Sequence, residues 1–437
     1  MPQSSSLPSP WLTSPALLTD RYELTMLAAA LADGTAGRDS VFEVFARRLP
    51  HGRRYGVLAG TGRLLDALAS FRFADSELDA LRAQGVDDPR LLDHLAEFCF
   101  TGDVDGYAEG EFYFPGSPVL TVRAPFGQAV LLETLALSVL NHDSAIASAG
   151  ARMVGAACGR PCIEMGSRRT HEEAAVAAAR AAALVGFGAT SNLAAGARYG
   201  IPTTGTSAHA FTLLHDDEAA AFRAQLETLG VDTTLLVDTY DTEQGIRTAV
   251  EVAGPDLGAV RLDSGDLAIE ATRARELLDS LGATKTKVIV TSDLDEYAIA
   301  ALAAAPVDGY GVGTSLVTGS GAPTVGMVYK LVERDGVPVA KNSEGKRSVG
   351  GRKCAVRRHD ADGTATAEVV SGHPVEPADG DRQLLVPLVR GGEVVDRRSP
   401  SEALRVAVEH HERVRGTLPA EAWSLSRGEP VIDTVTS

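Results

Sequence analysis

The chain has 437 residues, 44% hydrophobic and 23% charged, which implies roughly two or three globular domains with a substantial core and excludes a disordered chain. Lys and Arg number 41 against 58 Asp and Glu, a formal net charge of −17, so no nucleic acid and no anionic membrane is expected as a partner. A phosphorylated ligand would have to be met by local Arg or Lys, backbone N–H groups or a metal. Four cysteines (Cys99, Cys158, Cys162 and Cys354) are too few for a disulfide framework; Cys158 and Cys162 lack the second Cys or His pair of a zinc site, so buried free thiols are the expectation.

In chain order, residues 1–15 are rich in Ser and Pro, without a basic start or an apolar core, and read as a disordered tail rather than a secretory signal. VFEVFARRL (41–49) alternates as a strand does, and 75–98 reads as two short helices split at Asp88-Pro89. EFYFPGSPVLTVRAPFG (111–127) is strand-like and feeds a helical segment over 128–153, with Leu131, Leu135, Val139 and His142 on one face. No uncharged apolar run approaches the roughly 20 residues that span a bilayer, so a cytoplasmic protein is expected.

From about residue 160 short apolar runs alternate with helical segments. CIEM (162–165) precedes a helix over 171–185, TLLVD (234–238) one near 243–252, AVRLD (259–263) one over 265–281, and KVIVT (287–291) one over 293–305. This order implies a parallel sheet, open or closed into a barrel, with sites at the strand C-termini. Beyond about 325 strands return: MVYKLVE (327–333), CAVRR (354–358) and QLLVPLV (383–389).

Polar residues gather where the strands end. In VRLDSGDL (260–267) Arg261 and Asp263 alternate to one side, suited to an acid or phosphate and to ribose hydroxyls or hydrated Mg2+; a helix cap with a local ion pair reads equally well. LVDTYDT (236–242) adds Asp238 and Asp241, so that with Asp266 four carboxylates share one rim, of which capping explains one or two. In DGYGVGTSLVTGSG (308–321) Gly309, Gly311 and Gly313 can take positive φ and form an anion nest, with Thr314 and Ser315 as donors; a mobile connection is the plainer reading. His209 of GTSAHAF is either a satisfied core histidine or a nucleophile that accepts a group. Arg168 and Arg169 follow a strand in EMGSRR, and Lys341, Lys346, Arg347, Arg352 and Lys353 cluster on a Gly-rich loop that is either a polyanion site or a solvated surface. There is no GxxxxGK[ST], GxSxG or HExxH, and GTGRLL (60–65) is a mere fragment of a dinucleotide fingerprint.

Together LLTDRYELTM (17–26), VFEVFARRLP, LLETLALSVLNHDSAIA, EMGSRR, GTSAHAF, LVDTYDT, VRLDSGDL, VTSDLDEY and GYGVGTSL resemble, in order, the motifs of bacterial nicotinate phosphoribosyltransferases, over roughly three-quarters of the chain. The resemblance implies a type II phosphoribosyltransferase fold: an irregular, TIM-like α/β barrel over 121–329 and a mixed α/β domain built from both chain ends (16–120 plus 330–437). It implies a homodimer with active sites near the interface. It also implies transfer of the phosphoribosyl group of 5-phosphoribosyl-1-pyrophosphate (PRPP) to nicotinate in NAD biosynthesis, with ATP hydrolysed alongside through a phosphohistidine at His209. Carried over by residue, Arg168 and Arg261 hold nicotinate, Tyr22 stacks on its ring from across the dimer, and Asp238 and Asp263 face ribose, pyrophosphate and Mg2+. Ser292, Asp293, Gly311, Gly313 and Thr314 lie at the 5-phosphate. Ser191 stands where amide-using relatives carry an Asp, which fits an acid substrate, and Met165 replaces their stacking aromatic. The alternatives are a quinolinate or nicotinamide phosphoribosyltransferase and a non-catalytic nucleotide-binding barrel.

Overall fold

A computed structural model of the chain describes residues 14–341 and 349–436. Most of the expected tail, and Lys346 and Arg347 of the basic loop, lie outside the described residues.

The apolar runs of the middle of the chain form a six-stranded parallel sheet. Its order is Ala189–Thr190, Cys162–Glu164, Gly309–Val312, Lys287–Val290, Ala259–Leu262, Thr234–Leu236. Leu235, Leu236, Val260, Leu262, Val288 and Val290 are fully shielded, as continuous apolar strands are when helices cover the sheet. The helices Glu172–Leu184, Thr242–Ala253 and Leu267–Ser280 start and stop within two residues of expectation. The helix expected over 293–305 is shorter, Glu296–Ala301, because the Asp295 side chain accepts from Tyr297 N–H and Ala298 N–H and fixes the start there. Among the described residues the edge strands Ala189–Thr190 and Thr234–Leu236 do not pair with each other, so the sheet is a half-barrel. A bridge from Thr190 to Thr203 leads the chain along the open side.

A seven-stranded antiparallel sheet interleaves early and late segments: Val337–Pro338, Met327–Arg334, Asp39–Ala46, Leu120–Pro125, Asp103–Tyr107, Leu385–Arg390 and Glu393–Val394. Two short helices, Asp75–Ala83 and Pro89–Ala96, are split at Asp88, whose side chain caps the second. The helix Glu133–Ala156 joins two cores: Leu135, Ala136 and Leu140 pack under the antiparallel sheet, and Ile146, Ala149 and Met153 under the parallel one. Its second half is dominated by Ala, Ser and Gly, which lets the Ala-rich helix Glu172–Leu184 come close; a Cβ on Gly150 would meet Val185 at 2.9 Å. The late helix Pro400–Arg415, which the periodicity reading did not pick out, lays Leu404, Ala407 and Val414 into this same core. All four cysteines are free, but only Cys162 is buried, and Cys99 and Cys158 are exposed, so the buried-thiol expectation holds for one of them. No helix of the described residues is long and apolar enough to cross a membrane.

Candidate active site

The ends of the parallel strands and the loops beyond them enclose a cavity of about 480 Å³. Arg168, Ser191, Arg261, Asp263, Ser292 and Asp293 line it, together with Gly311, Gly313 and Thr314. Strand alternation brings Arg261 and Asp263 to the same side, as the sequence suggested.

Arg261 is the desolvated cation of the site. Its Nη1 donates to Thr206 Oγ1, and its Nε is buried with no hydrogen-bond partner. Burial lowers its pKa, Asp263 and Asp238 oppose that, and Arg168 adds to it. A charged planar fork with an unsatisfied N–H suits a carboxylate or phosphate ligand.

The carboxylates divide by partner. Asp241 and Asp266 are helix caps, accepting from Gln244 N–H and Ile269 N–H. Asp238 and Asp263 are not caps. Asp238 Oδ2 accepts from Asp263 N–H (2.8 Å) and Ser264 Oγ (2.7 Å), while its Oδ1 is buried without a partner. Asp263 Oδ1 accepts from Thr291 Oγ1, and Oδ2 lies 3.8 Å from His209 Nε2. His209 is not a core residue: its side chain is 40% exposed, and Nδ1 sits 3.1 Å from Thr239 Oγ1. No three His, Cys, Asp or Glu side chains among the described residues gather as a metal cage. The free Oδ1 of Asp238 and the Asp263 carboxylate are nonetheless the hard oxygen donors that Mg2+ takes in ones and twos, with phosphates and water completing its shell.

The phosphate-nest expectation is corrected in one respect. Gly309, Gly311 and Gly313 do not have positive φ. Crowding explains Gly311 instead, since a Cβ there would stand 2.6 Å from Thr291 Cγ2 and 2.8 Å from Met165 Sδ. The unusual backbone of the cavity belongs to Ser292, with φ of 140°, a conformation that costs a non-glycine residue about 1–3 kcal/mol and tends to occur where a site demands it.

Two of the comparisons with known proteins cover almost the whole chain. It is 61% identical over 430 residues to nicotinate phosphoribosyltransferase pncB1 of Mycobacterium tuberculosis, covering 96% of this chain and 95% of that protein. The crystal structure of human nicotinic acid phosphoribosyltransferase superposes with a TM-score of 0.78 at 26% identity, covering 96% of this chain and 97% of that one. The chain belongs to the nicotinate phosphoribosyltransferase family. It is an enzyme of NAD biosynthesis, and formation of nicotinate mononucleotide is the activity that this membership carries. The family's N-terminal domain, described as nicotinate phosphoribosyltransferase (NAPRTase) N-terminal domain, matches residues 17–141. The Bacillus subtilis nicotinate phosphoribosyltransferase is 41% identical, covering 78% of this chain and 72% of that protein.

Against this nicotinate phosphoribosyltransferase frame, some residues stand apart from the cavity: Asp238 and His209 are not among its lining residues, though both reach Asp263, which is. Tyr22, on the helix Arg21–Asp33, is 45% exposed and does not line its own chain's cavity. Partial burial, then Glu133 and Glu23, push its phenol up to about 12. In the basic loop, Lys353 is held by Glu43 Oε2 and Gly351 O, and Arg352 by Asp105 and Glu333, so these two serve the antiparallel sheet. Arg169, named beside Arg168 in the sequence, also lines the cavity, and sequence reasoning missed Thr204, Thr206, Ser207 and Thr291, which line it too. The signal for three of them was the run of small hydroxyl residues just before His209 (TTGTSA, 203–208), which the bridge at Thr203 carries along the cavity wall.

Proposed function

We propose that this cavity joins nicotinate to PRPP, releasing pyrophosphate, with ATP hydrolysed alongside through His209. The observation that carries the reading is Arg261, a half-buried guanidinium whose Nε is shielded and unpaired, beside Arg168 and the Asp263–His209 contact. The two arginines hold the acid, and Ser191, which is no carboxylate, does not repel it. Transfer breaks the C1–O bond of PRPP and forms C1–N to the pyridine; positive charge grows on the ribose and negative charge on the leaving pyrophosphate. Asp263 and Asp238 face the ribose and stabilise the first. Ser292, Asp293, Gly311, Gly313 and Thr314 cradle the 5-phosphate and keep C1 in line with the ring nitrogen. Asp238 and Asp263 are the residues that would hold Mg2+, which would supply charge neutralisation to the leaving pyrophosphate.

With Thr239 Oγ1 accepting the proton of His209 Nδ1, the lone pair stands on Nε2, which attacks the γ-phosphorus of ATP; the bond from that phosphorus to the bridging oxygen breaks and ADP leaves, and water later cleaves the N–P bond to give phosphate and free His209. The added negative charge would help order the arginines, and Mg2+ where it is bound, for PRPP. The proposal extends to the architecture: a TIM-like barrel over 121–329 finished by the 203–208 segment, a mixed domain from 16–120 and 330–437, and a cytoplasmic homodimer in which Tyr22 closes over the partner's ring.

The test offers nicotinate, nicotinamide or quinolinate with PRPP and Mg2+, each with and without ATP, to the wild type and to His209→Ala. Nicotinate mononucleotide formed from nicotinate alone, faster with ATP only when His209 is present, is the expected result. A His209→Ala enzyme that keeps its full ATP stimulation rules out the phosphohistidine step.

A further inference from the structure

A second cavity, of about 420 Å³, lies between the helix Thr61–Ala69, the segment 386–398 and the helix Pro400–Arg415, and shares no lining residue with the active-site cavity. Its size is that of a small-ligand site. One wall is apolar, with Leu65, Ala69, Val386, Pro387, Leu388 and Val394. Three exposed arginines, Arg397, Arg398 and Arg413, stand at its edge.

The charges around it are unequally matched. Arg397 pairs with Glu393 and Arg398 with Asp396. Arg413 instead donates to His410 Nδ1 at 3.1 Å. An arginine can only donate, so Nδ1 accepts and the His410 proton sits on Nε2, 3.0 Å from Glu111 Oε2. Arg413 is thus left without a carboxylate partner among the described residues. Glu109, also in the lining, is fully engaged: it accepts from Gly60 N–H and Gly62 N–H and from both Nη atoms of Arg180. Two polar groups lack hydrogen-bond partners among the described residues, though Asp66 feels the charges of Arg198, Arg180 and Arg63. Thr61 is 4% exposed and its Oγ1 is buried with no hydrogen-bond partner. The Asp66 carboxylate makes no hydrogen bond among the described residues.

We propose that this cavity binds a nucleoside 5′-monophosphate, with its phosphate at Arg413, Arg397 and Arg398, its ribose hydroxyls toward Asp66 and Thr61, and its base against Leu65, Pro387 and Val394. An inorganic anion would use the arginines and leave the apolar wall bare. A purely apolar molecule would leave Arg413 and Thr61 unmatched. This inference does not rest on the catalytic reading, because its readout is binding.

The test is photolabelling of the full chain with 8-azido-AMP under saturating PRPP and nicotinate, with the labelled peptides mapped. Calorimetry of AMP and of nicotinate mononucleotide against the wild type and Arg413→Glu accompanies it. Expected are label on peptides from 61–69, 386–398 or 403–413, and binding that PRPP does not displace. Arg413→Glu should weaken that binding about tenfold or more, the size of one lost charge-assisted hydrogen bond. With PRPP saturating the active site, AMP binding that Arg413→Glu weakens assigns the second cavity to adenine nucleotides, and nicotinate mononucleotide binding that Arg413→Glu weakens assigns it to the product of the reaction; either supports the proposal. It is overturned by label confined to 165–169, 204–209 or 292–314, by no binding of either nucleotide at about 1 mM, or by an Arg413→Glu chain that binds as the wild type does. Arg413 is exposed and outside the active-site cavity, so its substitution leaves basal turnover unchanged.

Discussion

Around Arg357 and around Arg261 the chain assembles guanidiniums, carboxylates and a histidine, and the two assemblies are finished differently. At Arg357, fully shielded, Nη2 donates to Glu368 Oε2 (2.7 Å) and Phe112 O (2.9 Å), and Glu368 Oε1 accepts from Tyr107 OH (2.7 Å). Glu111 accepts from Arg382, His410 and Phe112 N–H. Burial pushes the Glu111 pKa up, but the His410 hydrogen bond, Arg357 and Arg382 overcome it and hold the carboxyl well below its usual range. Every carboxylate oxygen there has a protein donor, although Arg357 Nε and Nη1 are themselves buried without a hydrogen-bond partner. At Arg261 the carboxylate side is incomplete as well: Asp238 Oδ1 is buried and unpaired, as Arg261 Nε is, and His209 is half in solvent. Charge closed on the protein stabilises a fold; charge left open has desolvation still to be compensated, and a ligand supplies the compensation.

The sharpest way to break this contrast is to remove one arginine from each cluster. Arg357→Ala leaves Glu368 and Glu111 buried with fewer partners and is expected to cost about 3–5 kcal/mol, read as a lower urea midpoint at unchanged m. Arg261→Ala is expected to lower kcat/KM for nicotinate by about 10²–10³, with the melting temperature held. If Arg261→Ala instead melts as Arg357→Ala does, Arg261 is a structural residue and the open end of its cluster has no functional meaning.

A pH titration sharpens the structural side. His411 is buried beside Phe112, with Nδ1 2.8 Å from Gly110 O. Burial lowers its pKa to about 4 from an ordinary 6.5, and the Gly110 hydrogen bond only partly opposes this. The unfolded chain therefore binds the proton first as pH falls. The stability that this residue contributes is complete above about pH 6.5 and is lost between there and about pH 4, on the order of 3 kcal/mol. His411→Phe should flatten that part of the curve of stability against pH; a curve identical to the wild type shows that His411 is not buried neutral.

Much of the fold was legible in the sequence where one local rule dominates. The strand–helix alternation from 160 to 312 shows as apolar runs of three to five residues ahead of helical spacing, and burial on both faces makes those runs continuous. What was not legible depends on contacts distant in sequence. The half-barrel opening, the strand order in which 39–125 interleaves with 327–394, and the packing of Pro400–Arg415 on Glu172–Leu184 follow from tertiary pairing that no window of residues contains; that both chain ends share one domain entered only through the family resemblance. In the site, Arg261 and Asp263 could be picked out because strand ends in a parallel sheet converge, while Asp238 stands behind them and accepts from Asp263 N–H and Ser264 Oγ. Thr206 could not, since its role is set by Arg261, 55 positions away. The glycines of 308–313 misled for a physical reason: a missing Cβ signals either positive φ or a crowded strand, and Gly311 is the second.

The smallest expected effect tests whether the two regions are independent. Ser399 begins Pro400–Arg415 with a reciprocal cap: its Oγ accepts from Glu402 N–H, and its own N–H donates to Glu402 Oε2 at 3.0 Å. This helix carries His410 into the closed Glu111–Arg357 cluster and packs on Glu172–Leu184, which starts three residues after Arg169 of the active-site cavity. Ser399→Ala removes one cap and is expected to cost about 1 kcal/mol, visible as a small drop in urea midpoint. Because the cap is exposed and its loss frays only the first turn, nicotinate kcat/KM should not move. A fall in turnover out of proportion to that loss of stability would mean that the closed cluster holds the open one in shape through the Pro400–Arg415 and Glu172–Leu184 contact, and the division between structural and functional charge would have to be redrawn along that helix pair.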